Sequence, residues 1–188
     1  MPTFPPEPPE PWLSFLRELD SIIPESCKLP CFGGFAVTEV YGISRATSDI
    51  DVLDVAPPRV VNFLMERAGR GSELHRCFGV YFDVVGVASA PYEYESRLRP
   101  LFQGAFQHLE LFVMDPYDVA LTKLKRDSDK DVQDVMQLAE VVPFDLALFE
   151  KRFIEELRDN STGHPVANDE VFYRWKTIIE EDRARRKR

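Results

Sequence analysis

Two aspartates one residue apart, in Ser48-Asp49-Ile50-Asp51-Val52, are the side chains of this sequence most suited to chemistry. The stretch 49–55, DIDVLDV, is apolar and β-branched between its acids and reads as a strand. Side chains alternate along a strand, so Asp49 and Asp51 share one face while Ile50 and Val52 turn to the other. Two carboxylates held this close repel each other unless a cation lies between them. The expected cation is Mg²⁺, or Mn²⁺ in its place, because it takes hard oxygen ligands and keeps waters for a phosphate substrate. Asp54 continues the strand on the Ile50 face and stays outside the expected site.

Three further features belong to the same chemistry. Gly33-Gly34 lies upstream. A double glycine at a turn into a helix lets the backbone approach phosphate oxygens and aims amides at them. Arg45 stands in the loop shortly before Asp49, where it reaches the mouth of such a site. Asp83 sits mid-strand in GVYFDVVGV, residues 79–87, where an acid among Tyr81, Phe82, Val84 and Val85 is costly without a role or a partner. It is the expected third carboxylate.

The elements that must position these residues follow from periodicity. Residues 2–11 hold six prolines and two glutamates, which predicts an extended, mobile lead-in. From Trp12 to Ile23 the apolar residues fall three or four apart, the face of a helix that Pro24 ends. Phe35–Tyr41 is ambiguous: Val37, Thr38 and Val40 favour a strand, whereas the preceding glycines and Gly42 favour a short helix. Pro57-Pro58 starts a helix that runs to about Ala68. Residues 107–114 make a third strand, and Asp115-Pro116 opens a helix bearing Val119, Ala120, Leu121 and Leu124. Helices follow over 129–141, 144–157 and 168–187, the last with acids at its start and arginines at its end. Trp175, Phe172, Ile178 and Ile179 read as a core stripe of that helix. The class is α+β: a small mixed sheet flanked by helices, with a helical C-terminal third. The expected organisation is a Pro-rich flexible arm over 1–11, a main domain over 12–142, and a C-terminal helical extension packed on it over 143–188.

GGFAVTEVYGISRATSDIDVL resembles the signature of the polymerase-β-type nucleotidyltransferase superfamily, and more narrowly that of AbiEii-type and related bacterial toxin-like nucleotidyltransferases. DPYDVALTKLKRDSDKDVQDVMQLA resembles those families' second motif, a Lys-Leu helix followed by a basic-Asp-x-x-Asp pattern. The resemblance implies the nucleotidyltransferase fold and a helix over Phe35–Tyr41. It implies that Gly33 and Gly34 hold a triphosphate, with Arg45 and Ser48 beside them. Asp49 and Asp51 bind metal, and Asp83 is the third ligand and the base for the attacking hydroxyl. Lys123 contacts the nucleotide phosphates, and Asp131 is a supporting carboxylate that orients Lys123 or Arg45. Where many members have Gly-Ser, this chain has Gly-Gly, so a serine hydroxyl is missing.

The implied activity is metal-dependent transfer of a nucleoside monophosphate from an NTP to a hydroxyl. The acceptor would be an RNA 3′ end such as tRNA, a protein or a small molecule. A toxin–antitoxin setting with a cognate antitoxin is also implied. The alternative from another class is an inactive module that binds nucleotide or a partner on the same fold.

The bulk composition bounds these readings. The chain has 188 residues, 44% hydrophobic and 29% charged, enough for one core with added helices. The net charge of −9 counts against a long nucleic-acid groove, though not against a local basic patch. Cys27, Cys31 and Cys77 are too few and odd in number for a disulfide framework. A zinc site would need further soft ligands from around His75, so reduced thiols of a cytoplasmic protein are expected. His75, His108 and His164 have no metal-site spacing. No run approaches the ~20 apolar residues of a membrane span, and the N-terminus does not read as a secretory signal.

Overall fold

The computed structural model describes residues 4–85, 90–158 and 169–186. The chain divides into two compact units, Met1–Ala88 with Leu98–Met114, and Ser89–Arg97 with Asp115–Arg188.

The first unit is a mixed five-stranded sheet with helices. Helix α1 (Trp12–Ile22) forms on the predicted apolar spacing and buries Trp12, Phe15, Leu16 and Leu19. Strand β1 (Cys27–Phe32) leads into helix α2 (Gly33–Phe35), which continues as a π-helical turn over Ala36–Val40. The β-branched residues there are thus helical, and the Thr38 hydroxyl donates back to the Gly34 carbonyl at 3.1 Å. Strand β2 (Asp49–Val52), helices α3 (Val60–Ala68) and α4 (Glu73–Phe78), strand β3 (Tyr81–Val84), and the short strands β4 (Arg99–Pro100) and β5 (Leu109–Val113) complete the unit. The strand order is β3-β2-β1-β5-β4. β1 runs parallel to β5 and antiparallel to β2, β2 runs parallel to β3, and β4 runs antiparallel to β5. A parallel pair needs a crossover, which α3 and α4 supply between β2 and β3. Phe15, Leu29, Ile50, Leu64, Phe82 and Val113 are fully buried and form the core around this sheet.

Four sequence expectations change here. β2 stops at Val52, because the Leu53 amide bonds the Pro30 carbonyl and Asp54 takes a positive φ of 48° in an exposed turn. Asp54 therefore leaves the site by a turn and not by facing the core. The strand expected over 79–87 spans Tyr81–Val84, with 86–87 outside the described residues. Helix α4 was not foreseen; it is capped by Ser72, whose oxygen accepts from the His75 amide at 3.1 Å, and closed by Gly79 at φ 74°. In the proline-rich lead-in, described from residue 4, Phe4 lies under the Arg99 guanidinium at 4.3 Å, Pro8 is buried, and Glu7 pairs with Arg17 at 2.7 Å.

Asp20, near the end of α1, accepts from the amides of Gln107, His108 and Leu109 at 2.8, 2.7 and 2.9 Å. One carboxylate thereby fixes the entry to β5. Asp20→Ala removes the acceptor of three amides, two of them part-buried, and is expected to lower unfolding stability by about 2 kcal/mol, read as a shift in urea midpoint at constant m-value.

The second unit is helical. Asp115 caps α5 (Pro116–Thr122) through the Tyr117 amide, and Ser128 and Asp131 form a capping box at α6 (Asp129–Val141). α7 (Leu146–Arg152) passes into a π-helical turn over Phe153–Arg158, and α8 (Asp169–Arg186) follows. Tyr117, Phe144, Phe149, Phe172 and Phe153 stack in succession with ring centroids 4.0–5.0 Å apart. Trp175, Phe172 and Ile179 are buried as the core stripe predicts. This aromatic column joins α5 to α7 and α8. Asp118, fully buried, accepts from Arg97 at 2.8 and 3.0 Å and from Arg152 at 3.0 Å. His164 lies outside the described residues. No described helix is long and apolar enough to cross a membrane.

Candidate active site

The site is set by the register of β2 and β3. Asp49 stands opposite Tyr81, Ile50 opposite Phe82, and Asp51 opposite Asp83. Laterally paired residues in neighbouring strands project to the same face. Asp49, Asp51, Asp83 and Tyr81 therefore share one face, while Ile50, Val52 and Phe82 enter the core. Asp49 and Asp51 are half-buried, and Asp83 is exposed. The Asp83 side chain makes no hydrogen bond or ion pair among the described residues.

The next layer comes from β1. Phe32 pairs with Asp51, and at Gly33 the chain turns with φ +62° into α2. The Gly34 amide donates to Asp51 Oδ2 at 3.3 Å. A Cβ on Gly33 would fall 1.7 Å from Asp51 Oδ2; one on Gly34 would fall 2.5 Å from Thr47 Oγ1 and 3.2 Å from Arg45 Nη2. Both glycines are thus required by close approach, Gly33 also by its backbone angle. Arg45 is half-buried with its guanidinium over Gly34, and its Nη1 donates to the Ala46 carbonyl at 3.2 Å. Ser48 is exposed; its carbonyl accepts from the Tyr81 amide at 2.9 Å and ties the loop to β3. Thr47, which the sequence reading left without a role, donates to Asp49 Oδ1 at 2.8 Å. The Arg-x-Thr-x-Asp spacing was its signal.

Gly33→Ala tests this packing. The carboxylate is the movable partner of the clash, so Asp51 shifts and the fold survives. The expected stability loss is about 1–2 kcal/mol from the left-handed backbone, read as a shift in urea midpoint.

The carboxylate row suits a hard divalent cation by donor type: three oxygen-bearing acids on one face of the sheet. Asp49 and Asp51 are directed to the Thr47 hydroxyl and the Gly34 amide. Among the described residues no three His, Cys, Asp or Glu side chains converge as a metal-holding cluster. Cys27 and Cys31 are buried. Burial, then the charges of Glu110, Asp20 and Glu25, push the Cys27 thiol up to about 12, and burial raises Cys31 as well.

Tyr81 and Arg70 extend the face. Gly69 forms a parallel bridge with Phe82, so the chain before α4 runs along the outer edge of β3. Arg70 then lies over the Tyr81 ring at 4.6 Å, and its Nη2 donates to the Tyr81 hydroxyl. Burial and the Asp49 charge raise the Tyr81 hydroxyl above its usual value, with a smaller push from Asp83 and an opposing pull from Arg70. Tyr81 was legible as the residue two before Asp83 on the same face; Arg70 had no signal in the sequence.

Lys123 and Asp131 belong to the second unit. Lys123 is buried, and its Nζ donates to Asp134 at 2.9 Å and to Asp131 at 3.4 Å. Asp131 also accepts from Arg126 Nε at 2.7 Å and the Ser128 hydroxyl at 2.6 Å. Burial alone would raise the Asp131 carboxyl, but Arg126, Ser128 and Lys123 outweigh it and hold it well below the usual carboxylate range. A depressed folded-state pKa stabilises above the unfolded value, here 3.8, and that contribution is lost as pH falls towards the folded one. The second unit is therefore expected to lose stability progressively below about pH 4, in a thermal scan against pH, and Asp131→Asn should flatten that acid limb.

A family model described as "Nucleotidyltransferase of unknown function (DUF6036)" matches residues 14–183. No curated protein and no solved structure matches the chain.

Proposed function

Because the chain belongs to this nucleotidyltransferase family, we propose that it transfers a nucleoside monophosphate from an NTP to an acceptor hydroxyl, with Asp49, Asp51 and Asp83 at the reacting centre. The observation that carries this reading is the register: Asp51 and Asp83 stand side by side on adjacent strands, with Asp49 on the same face and the Gly33-Gly34 turn closed on Asp51.

Asp49, Asp51 and Asp83 would hold Mg²⁺ or Mn²⁺, which when bound neutralises phosphate charge and activates the attacking and leaving oxygens. The residues themselves do the rest. Gly33 and Gly34 admit the triphosphate because neither has a Cβ to obstruct it, and Arg45 supplies positive charge over Gly34. Exposed Asp83 takes the proton of the acceptor hydroxyl. The new bond forms between that oxygen and the α-phosphorus, the α–β phosphoanhydride breaks, and pyrophosphate leaves with its electrons. Ser48 contributes its backbone to the strand junction and its exposed hydroxyl to the nucleotide. For Lys123 and Asp131, burial and mutual pairing favour a stabilising role within their own unit.

The alternative is a nucleotide-binding module without catalysis. The lack of three converging ligands among the described residues favours it. One experiment separates the two: purified protein with Mg²⁺ and each α-³²P-NTP, with total tRNA, cell lysate or neither, against Asp49→Ala/Asp51→Ala. Transfer of label to RNA, protein or a small molecule only with the wild type supports the enzyme and identifies the acceptor class. Mg²⁺-dependent NTP binding without transfer supports the module, and no binding sinks both. A toxin–antitoxin role rests on the resemblance, and growth arrest on expression that the same double substitution abolishes is its expected sign.

A further inference from the structure

Arg70 stands at the end of a row that crosses three neighbouring segments on one face. Asp49 and Asp51 come from β2, Tyr81 and Asp83 from β3, and Arg70 follows Gly69 on the outer edge of β3. Since Gly69 pairs with core-facing Phe82, the next residue points to the carboxylate face, and its contact with Tyr81 agrees. The amides and guanidinium on the other side, Gly33, Gly34 and Arg45, lie towards β1. A nucleotide triphosphate held there leaves the β3 edge for the second substrate, which must deliver its hydroxyl to Asp83.

We propose that Arg70 receives a phosphate group of that second substrate, so that the acceptor is itself a phosphate ester; this deepens the nucleotidyl-transfer reading and rests on it. Arg70 is exposed yet oriented. Stacking on Tyr81 fixes the guanidinium plane, and one hydrogen bond to the hydroxyl leaves most of its five donors for a ligand. The loop that carries it is pre-formed. The Gly71 amide donates to His75 Nδ1 at 2.8 Å, and Arg76 Nη1 donates to the Gly71 carbonyl at 2.6 Å. Arg67 and Arg76, both exposed, lie on the same segment, against Glu66 and Glu73. In a chain of net charge −9 this segment carries one net positive charge beside an acidic site. It suits an anion that has to approach carboxylates. Asp83 and Arg70 do not pair with each other among the described residues, so each keeps its charge for substrate.

The test is calorimetric binding to the full-length wild type, Arg70→Met and Arg70→Lys. The probes are a short oligouridylate (phosphodiester), ribose 5-phosphate (phosphomonoester) and, in parallel, Mg²⁺·ATP. At least one phosphate ester should bind the wild type, and the probe that binds identifies the source of the phosphate. Arg70→Met should weaken that probe about ten- to a hundredfold and lower its salt slope by roughly one. Arg70→Lys should recover part of the affinity, and Mg²⁺·ATP should bind all three proteins alike. The proposal is overturned if Arg70→Met binds the esters as the wild type does, if neither ester binds the wild type, or if Mg²⁺·ATP weakens in step. Failure of the wild type to bind Mg²⁺·ATP, with the ester results as expected, would overturn the nucleotidyl-transfer reading and leave a phosphate site at Arg70. Matching thermal midpoints for Arg70→Met and wild type exclude misfolding as the cause.

Discussion

Asp51→Ala should reduce nucleotidyl transfer by about a thousandfold, the upper range for removal of one preorganised electrostatic group, while leaving the protein folded. Both halves of the expectation come from the same geometry. Asp51 faces Asp83 across the β2–β3 pair and sits against Gly33, so it is central to the row. Yet it is only half-buried, and its loss relieves repulsion between neighbouring carboxylates. The amide of Gly34 loses an acceptor, which water can replace at a half-open site. The expected record is an unchanged or slightly raised thermal midpoint beside a loss of label transfer. Full activity in Asp51→Ala would end the assignment, and a collapsed midpoint would make Asp51 a structural residue.

Lys123→Met is expected to do the opposite: a large loss of stability. Its ammonium is buried between Asp131 and Asp134, both themselves buried. Removal of one partner from a buried ionic group costs about 3–5 kcal/mol, because the remaining charge is left without compensation. Arg126 and Ser128 still hold Asp131. For a unit of this size the midpoint should fall by about 10 °C or more. The comparison with Asp134→Asn is decisive. If the two variants together destabilise far less than the sum of the singles, the pair is coupled as a structural unit. If Lys123→Met leaves the midpoint unchanged and instead raises the KM for NTP, the lysine serves the nucleotide.

The sequence reading located the elements that signal themselves locally. Alternation around Asp49-Ile50-Asp51-Val52 placed both acids on one face and both apolar residues in the core, as found. The Asp115-Pro116 and Ser128–Asp131 caps are local chemistry and mark the starts of α5 and α6. What escaped it depends on pairing between distant segments. Asp83 is the expected third carboxylate, but that it stands directly opposite Asp51 is a property of register, which a strand does not announce. Arg70 gains its place from one bridge between Gly69 and Phe82. Asp118 looked like an ordinary acid in a helix, and only the arrival of Arg97 and Arg152 makes it the centre of a buried network. Phe35–Tyr41 is ambiguous by composition, its β-branched residues pointing to a strand and its flanking glycines to a helix; the helix implied by the resemblance is what forms.

The parallel crossover between β2 and β3 has a consequence for how the site comes into being. Its carboxylates lie on opposite sides of the segment that carries α3 and α4, so no local stretch of chain contains them all. They meet only once that long loop has closed, a slow, entropically costly contact of high sequence separation. A protease that nicks the exposed Pro58-Arg59 turn would leave the acids on separate pieces. The proposed Mg²⁺-dependent nucleotide binding would thus report completed topology, expected to appear in refolding after helical signal and together with protection of the β3 amides.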